Sequence, residues 1–182
     1  MPADWAHERV VSLIFEGVFR STTVWLNGVR LPDGEHQFGY TSFAVRLDNV
    51  TGVKFGDGKA KENVLAVHVN AMKGTGWWYE GGGIYRHCQL VATPPLHFAR
   101  DGLFVRTGAV NATHATVKAD AELTNAAGAD VTVLLDIRDA SGSVVASASA
   151  SVSALNGSTS AFASAMLVIA SPERWSVQRP YL

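Results

Sequence analysis

Short apolar runs separated by turn residues dominate the first half of the chain. Each run is rich in β-branched and aromatic side chains, which favour strands. Residues 43–47 place an apolar side chain at every second position, which is the period of a strand with one buried face. The dipeptide Asn27-Gly28 separates two such runs and predicts a β-hairpin, because a type I′ turn needs positive φ at both central positions. The predicted strands span residues 10–15, 22–26, 43–47, 64–69 and 88–92.

The second half shows the same rhythm with smaller side chains. Residues 117–123 alternate apolar and charged side chains, as in a strand of an antiparallel sandwich. Turn signals at residues 125–128 and 139–142 flank a predicted strand at residues 131–137. Residues 144–154 are so rich in Ser and Ala that composition leaves helix or disorder open, but their valines fit the strand rhythm. Turns about ten residues apart favour an immunoglobulin-like sandwich, and the predicted fold class is all-β.

Two adjacent prolines and a change in composition divide the chain. Thr93-Pro94-Pro95 ends the preceding strand, because two prolines remove two hydrogen-bond donors and stiffen the backbone. Four of the five tryptophans precede residue 93, whereas Ala, Ser, Val and Thr dominate from Phe104 onward. The sequence therefore predicts two domains, residues 1–93 and residues 94–182.

The composition is that of a globular protein with balanced charge: 182 residues, 47% hydrophobic, 17% charged and a net charge of -1. Without a basic stripe, neither nucleic acid nor an anionic membrane surface is expected as a partner. No apolar run reaches the roughly 18 residues of a membrane helix. Residues 1–5 do not resemble a signal peptide, which favours a cytoplasmic location while the compartment stays open. The single cysteine, Cys88, lies in a predicted strand and is interpreted as a small buried side chain.

The most distinctive stretch runs from Trp77 to Arg86 and gathers two Trp, two Tyr, a Glu, an Arg and three consecutive Gly. Consecutive glycines are expected where the backbone needs positive φ or closely approaches another group. Aromatic faces beside polar groups suit a sugar, whose C–H face stacks on a ring while its hydroxyls form hydrogen bonds. On the residues alone, a sugar-binding loop and a buried aromatic plug between strands are equal alternatives.

Several motifs, taken in order, resemble those of the family 2 glycoside hydrolases, the group of β-galactosidases, β-glucuronidases and β-mannosidases. The stretch from Trp77 to Arg86 is similar to the signature of their N-terminal sugar-binding domain. The last residues are similar to the end of the immunoglobulin-like domain that precedes the catalytic barrel. The other matching segments are Phe15-Glu16-Gly17-Val18, Val24-Trp25-Leu26-Asn27-Gly28, His36 with Gly39-Tyr40 and Phe43, Asn63-Val64-Leu65-Ala66-Val67, Ser171-Pro172, Trp175-Ser176 and Pro180-Tyr181-Leu182.

The resemblance implies a jelly-roll sugar-binding domain at residues 1–93, truncated because its first strands precede Met1, and an immunoglobulin-like sandwich at residues 94–182. It also implies a (β/α)8 barrel after Leu182, which carries the two catalytic glutamates of a retaining exo-β-glycosidase similar to β-galactosidases. The chain itself then holds no catalytic residue and supports the barrel. The implied partner is a carbohydrate, a terminal β-glycoside with galactoside favoured.

The resemblance also assigns residues to roles. Substrate contacts are assigned to four loop residues, Trp77, Trp78, Tyr79 and Glu80. Structural roles are assigned to Asn27, Gly28, Gly83 and Arg86. The family often has Arg at the position of Trp77 and Pro at that of Glu80, so the identity of the sugar stays open.

Other candidate chemistry is weaker. Glycoside hydrolysis needs two facing carboxylates, and Glu16 with Glu80 is a tempting pair. Glu16, however, belongs to a motif that is structural in the family. His36 and His87 are interpreted as strand or loop contacts rather than catalytic bases. The histidines lack the spacing of a structural zinc site and no glycine motif cradles a phosphate, so neither a metal nor a cofactor is expected.

Two functions from other classes remain open. The chain is alternatively a free-standing carbohydrate-binding module, with the aromatic loop as its binding surface, or a structural or adhesive two-domain β protein with that loop buried. In either case, a jelly roll that lacks its first strands exposes an edge that can pair with a second copy of the chain.

Overall fold

The computed structural model of the chain consists of two compact units, Met1–Pro95 (unit 1) and Leu96–Leu182 (unit 2). The structure describes residues 1–72, 81–124, 130–152 and 160–180. Both units are built from antiparallel strands, so the predicted all-β fold class is confirmed. The helical segments in the described ranges are three single 3₁₀ turns, Ala3–Trp5, Pro32–Gly34 and Lys59–Lys61.

Unit 1 contains eight strands in the residues described. They are β1 (Val10–Phe15), β2 (Val18–Phe19), β3 (Thr22–Leu26), β4 (Val29–Arg30), β5 (Phe43–Arg46), β6 (Leu65–Val69), β7 (Gly83–Ile84) and β8 (Cys88–Thr93). Two three-stranded sheets have the orders β5-β1-β8 and β4-β3-β6, and β2 pairs with β7. The five strands predicted in this half are present, with ends that differ by at most a residue or two.

The core of unit 1 lies between its two three-stranded sheets. Every second residue of β1 is buried, and its Val11, Leu13 and Phe15 join Val24 and Leu26 of β3 in one cluster. Alternation along both strands therefore places one face of each sheet against the other, as in a sandwich.

The Asn27-Gly28 turn joins β3 to β4, so the predicted hairpin is confirmed. Both residues have positive φ, 50° and 84°. The Asn27 side chain also ties the turn to more distant chain: its Nδ2 donates to the carbonyl of Gly52 at 2.9 Å, and its Oδ1 accepts from the backbone N–H of Val64 at 2.8 Å. The Asn27 side chain thus links the turn to the segments that carry Gly52 and Val64.

Unit 2 contains five long strands in the residues described. They are β9 (His97–Val110), β10 (His114–Thr124), β11 (Val131–Arg138), β12 (Val144–Val152) and β13 (Ser160–Ala170). One sheet has the order β13-β10-β9, and β11 pairs with β12. The core between them is made of small side chains with a few larger ones: Ala121, Leu123, Val133, Ala161 and Ala163. Residues 144–152 of the Ser- and Ala-rich stretch form β12, as predicted from its valines.

Cys88 is exposed, so its interpretation as a buried side chain is wrong. It lies opposite the buried Phe15 and faces the same side of the sheet, but β8 is an edge strand. The neighbouring core positions Leu90 of β8 and Leu65 of β6 are also exposed, and they line an open cleft of about 620 Å³. Described residues therefore leave the sandwich open along this edge.

No helix in the described ranges is long and apolar enough to cross a membrane.

Candidate functional site

The four predicted substrate-binding residues, Trp77, Trp78, Tyr79 and Glu80, lie outside the described residues. The structure does describe the chain on both sides of them. Residues 70–72 lead into the segment 73–80 and form its first foot, and residues 81–86 leave it and form its second foot. We call these two feet and the residues that hold them the frame.

Strand pairing holds the second foot. Phe19 pairs with Gly83 and Val18 pairs with Ile84, and the backbone N–H of Tyr85 donates to the carbonyl of Gly17 at 3.2 Å. Gly83 has a φ of 133°, a conformation that side chains other than glycine rarely adopt. Gly83 thus lies at a backbone position that favours glycine.

The first foot is held by the residues that follow β2. The backbone N–H of Asn70 lies 3.1 Å from the carbonyl of Arg20, and the Asn70 Oδ1 accepts from the N–H of Met72 at 3.1 Å. The two feet contact each other, because a Cβ added to Gly82 would lie only 2.8 Å from the Cβ of Ala71. The described residues on either side of the segment 73–80 therefore lie close together.

Tyr85 connects the second foot to the loop that carries Gly39. Its hydroxyl donates to the carbonyl of Gly39 at 2.8 Å. Its ring packs over Gly17, where an added Cβ would lie 2.8 Å from the Tyr85 Cζ. Arg86 lies with its guanidinium carbon 5.3 Å from the centre of the Tyr85 ring. Arg86 thus contacts the Tyr85 ring at the second foot.

Tyr85 and Gly17 were not assigned a role from the sequence. The signal that marked them was their membership of two motifs that each place glycine beside aromatic residues. Their contact joins residues far apart in the chain, and periodicity within one strand carries no information about such a pair.

His36 is a structural contact in this frame. Its backbone exchanges hydrogen bonds with Thr22, at 2.7 and 3.0 Å. Its ring stacks on Phe43 with centroids 4.4 Å apart, and its Nε2 lies 2.9 Å from the Thr41 hydroxyl. This placement agrees with its interpretation as a loop contact.

Glu16 is engaged by neighbours on β8 and just before it. Its carboxylate lies 3.1 Å from His87 Nδ1 and accepts from Gln89 Nε2 at 2.9 Å. Partial burial, together with the negative charge of Glu16, raises the pKa of the Cys88 thiol. This group of side chains is thus a polar contact between strands, and the Glu16 charge disfavours the thiolate form of Cys88.

In the described part of the chain, no group of three or more His, Cys, Asp or Glu side chains is placed to hold a metal ion.

Comparison with known proteins gives the same family from sequence and from structure. The family described as Glycosyl hydrolases family 2 matches residues 97–182. The Beta-galactosidase BoGH2A of Bacteroides ovatus is 33% identical over 177 residues, which are 96% of this chain and 20% of that protein. The sequence resemblance to this family is confirmed.

Solved structures of family 2 enzymes are similar to this chain over its full length. A family 2 glycosyl hydrolase from Bacteroides cellulosilyticus matches 100% of this chain and 24% of its own, with a TM-score of 0.84 and 30% identity. A β-glucuronidase from Bacteroides uniformis also matches 100% of this chain and 22% of its own, with a TM-score of 0.78 and 26% identity. The chain thus spans between a fifth and a quarter of the length of these proteins.

Proposed function

Because this chain is related to the family 2 glycosyl hydrolases in both sequence and fold, we propose that it is a non-catalytic segment of a longer enzyme that cleaves β-glycosidic bonds. The coverage of the Bacteroides ovatus relative supports this proposal, since nearly the whole of this chain matches only 20% of that protein. The remainder of such an enzyme supplies the two catalytic carboxylates.

The observation that carries the proposed role is the fixed frame around the segment 73–80. The second foot pairs with β2, and the first foot forms a hydrogen bond to Arg20, which follows β2. The two feet also contact each other. A binding loop on a rigid frame loses less conformational entropy when it meets its ligand. We therefore assign to Trp77, Trp78, Tyr79 and Glu80 the task of narrowing the sugar site of the complete enzyme.

The proposed substrate is a terminal β-galactoside. The Bacteroides ovatus relative is named a β-galactosidase, and a structural neighbour is named a β-glucuronidase. Glu80 adds a carboxylate to the loop, and a like charge disfavours the carboxylate of a glucuronide. A neutral sugar is therefore the better match to this loop.

Substitution of Trp78 in the complete enzyme tests the role of the loop. Trp78→Ala is expected to lower kcat/KM for a nitrophenyl β-galactoside by about tenfold, because it removes an aromatic face worth roughly 1 kcal/mol or more at the sugar. Met72→Ala is the control, since the Met72 side chain lies at the first foot and is 91% exposed. Steady-state kinetics that are the same for both variants and the unsubstituted enzyme would show that the loop serves packing alone.

A further inference from the structure

A concave pocket of about 610 Å³ lies on unit 2, where the chain leaves β13. Its volume is within the range of about 300–1,000 Å³ that is usual for small-molecule sites. One side of the pocket is Ala112, in the turn between β9 and β10. We call this cavity the unit 2 pocket. Its polar and aromatic lining comes from one short segment: Glu173, Arg174, Trp175, Ser176 and Arg179.

Hydrogen bonds fix both sides of the unit 2 pocket. The backbone N–H of Ser171 donates to the carbonyl of Thr113 at 2.8 Å, and the backbones of Ser176 and Arg179 exchange two hydrogen bonds at 2.9 and 3.1 Å. In the β9–β10 turn, Asn111 Oδ1 accepts from the backbone N–H of Thr113 at 2.8 Å. A pocket that is already ordered in this way loses less entropy when a ligand binds to it.

The charged side chains of the pocket leave one positive charge unbalanced. Arg179 Nη2 lies 3.2 Å from Glu173 Oε2, so these two charges form an ion pair. Arg174 is exposed, and among the described residues no carboxylate forms an ion pair with it. A ligand with one negative charge matches this balance, whereas a ligand with several phosphates meets the like charge of Glu173.

Two side chains of the pocket offer hydrogen bonds to hydroxyl groups. The ion pair of Glu173 uses Oε2, which leaves Oε1 as an acceptor. The Ser176 Oγ accepts from the backbone N–H of Arg179 at 3.0 Å, which leaves the O–H of Ser176 to donate. A ligand rich in hydroxyls uses both kinds of group.

Trp175 adds an aromatic face to these polar groups, and it is 58% exposed. The C–H face of a sugar stacks on such a ring while the hydroxyls of the sugar bond to the polar groups beside it. The guanidinium of Arg174 suits a carboxylate, because its planar fork binds both carboxylate oxygens. The pocket therefore combines the groups that recognise a sugar ring with those that recognise one carboxylate.

We propose that the unit 2 pocket binds an acidic saccharide, in which a sugar ring carries a carboxylate. Arg174 binds the carboxylate, Trp175 stacks on the ring, and Glu173 and Ser176 bond to its hydroxyls. The inference is independent of the proposed function, since the pocket lies in unit 2 and uses none of the residues 73–80.

Calorimetric titration of the 182-residue chain with methyl α-galacturonide and with methyl α-galactoside tests this inference. The two probes differ only in the carboxylate, and their α-linkage distinguishes them from the β-glycosyl unit proposed for Trp77 to Glu80. The galacturonide is expected to bind at least about tenfold more tightly than the galactoside, because its carboxylate forms charge-assisted hydrogen bonds with Arg174.

Substitutions in the pocket separate the two contacts. Arg174→Gln is expected to remove the preference for the galacturonide, and Trp175→Ala to weaken the binding of both probes. Arg138→Gln is the matched control, because Arg138 is an exposed arginine on β11 of the same unit and pairs with Asp136. It is expected to leave both affinities unchanged. Arg174→Gln replaces an exposed side chain and gives the reading if Trp175→Ala lowers the thermal midpoint.

Four outcomes would overturn the proposal: no binding of the galacturonide, equal affinity for the two probes, a preference that survives in Arg174→Gln, or a preference that is lost equally in Arg138→Gln. The last result would mean that the net charge of the surface, and not the pocket, attracts the carboxylate. Failure of the proposed function has a different appearance, since Trp78→Ala would then leave kcat/KM of the complete enzyme unchanged while these affinities stay as predicted.

Discussion

At the scale of single residues, glycines set how closely the frame of the binding loop packs. Gly17, Gly39 and Gly82 each lie where a Cβ would come within 3 Å of a neighbouring side chain. Of these, Gly17 is the most informative, because its neighbour Tyr85 also holds Gly39 through its hydroxyl. A change at Gly17 therefore acts on the whole frame.

Gly17→Ala is expected to lower the free energy of unfolding of unit 1 by about 1–3 kcal/mol, because the added methyl group displaces the Tyr85 ring. Urea denaturation followed by tryptophan fluorescence measures this change. Gly81→Ala is the control, since no described residue lies within 4 Å of a Cβ at Gly81. Equal stability of the two variants would remove the proposed role of Gly17.

Asp48 stabilises unit 1 through charge. Burial raises the pKa of its carboxyl, but hydrogen bonds from the Arg46 guanidinium and the Val11 backbone N–H outweigh burial, so the pKa lies below its ordinary value. A carboxyl with a lowered folded-state pKa contributes stability above the unfolded-state pKa, and that contribution is lost as pH falls through the folded-state pKa.

Asp48→Asn is accordingly expected to reduce the free energy of unfolding at pH 7 by about 1–2 kcal/mol. The difference between the variant and the unsubstituted chain is expected to shrink as pH falls below about 4, the ordinary pKa of an Asp carboxyl, towards the lower folded-state pKa at which Asp48 becomes protonated. Urea denaturation across this pH range measures it, with Asp57→Asn on an exposed loop as the control. A difference that grows on acidification would contradict this assignment.

At the scale of elements, several strands with clear alternation in their sequence were predicted, whereas β9 and β13 were not. The alternation in β1, β5 and β10 marks their buried faces directly. Strand β9 was not predicted, and it contains Asp101-Gly102, a pair typical of turns. In the structure Asp101 has a φ of 55°, and the pairing of β9 with β10 shifts register nearby. A β-bulge lets β9 continue through Asp101 and Gly102, and the bulge is seen only in the pairing with β10.

The error at Cys88 also has its cause at this scale. Its residue type and its position opposite Phe15 both indicate burial. Exposure follows from the place of β8 at the sheet edge, which depends on the order of strands and not on the sequence of β8 itself.

Cys88 is therefore expected to react fully with a maleimide in the folded 182-residue chain. At pH 8 the reaction is expected to be slower than in urea, because the raised pKa leaves less thiolate in the folded state. Mass spectrometry of timed samples measures the rate, and Cys88→Ser is the control because the chain has one cysteine. Labelling that requires denaturant would contradict the exposed position of β8.

At the scale of the whole molecule, patterns of alternation and turns were sufficient for the all-β class. For the candidate site, the sequence identified the motifs but not the contacts between them. The frame depends on contacts such as the one between Tyr85 and Gly39, which lie 46 residues apart and form only when β2 and β7 pair.

Hydrolysis of nitrophenyl β-galactoside and β-glucuronide by two proteins tests the central claim most directly: the 182-residue chain, and the complete polypeptide encoded by the reading frame that contains it. We predict that the complete polypeptide releases nitrophenol, faster from the galactoside, and that the 182-residue chain releases none. Turnover by the 182-residue chain that disappears on Glu80→Gln would contradict the claim, because it would place a catalytic carboxylate within this segment.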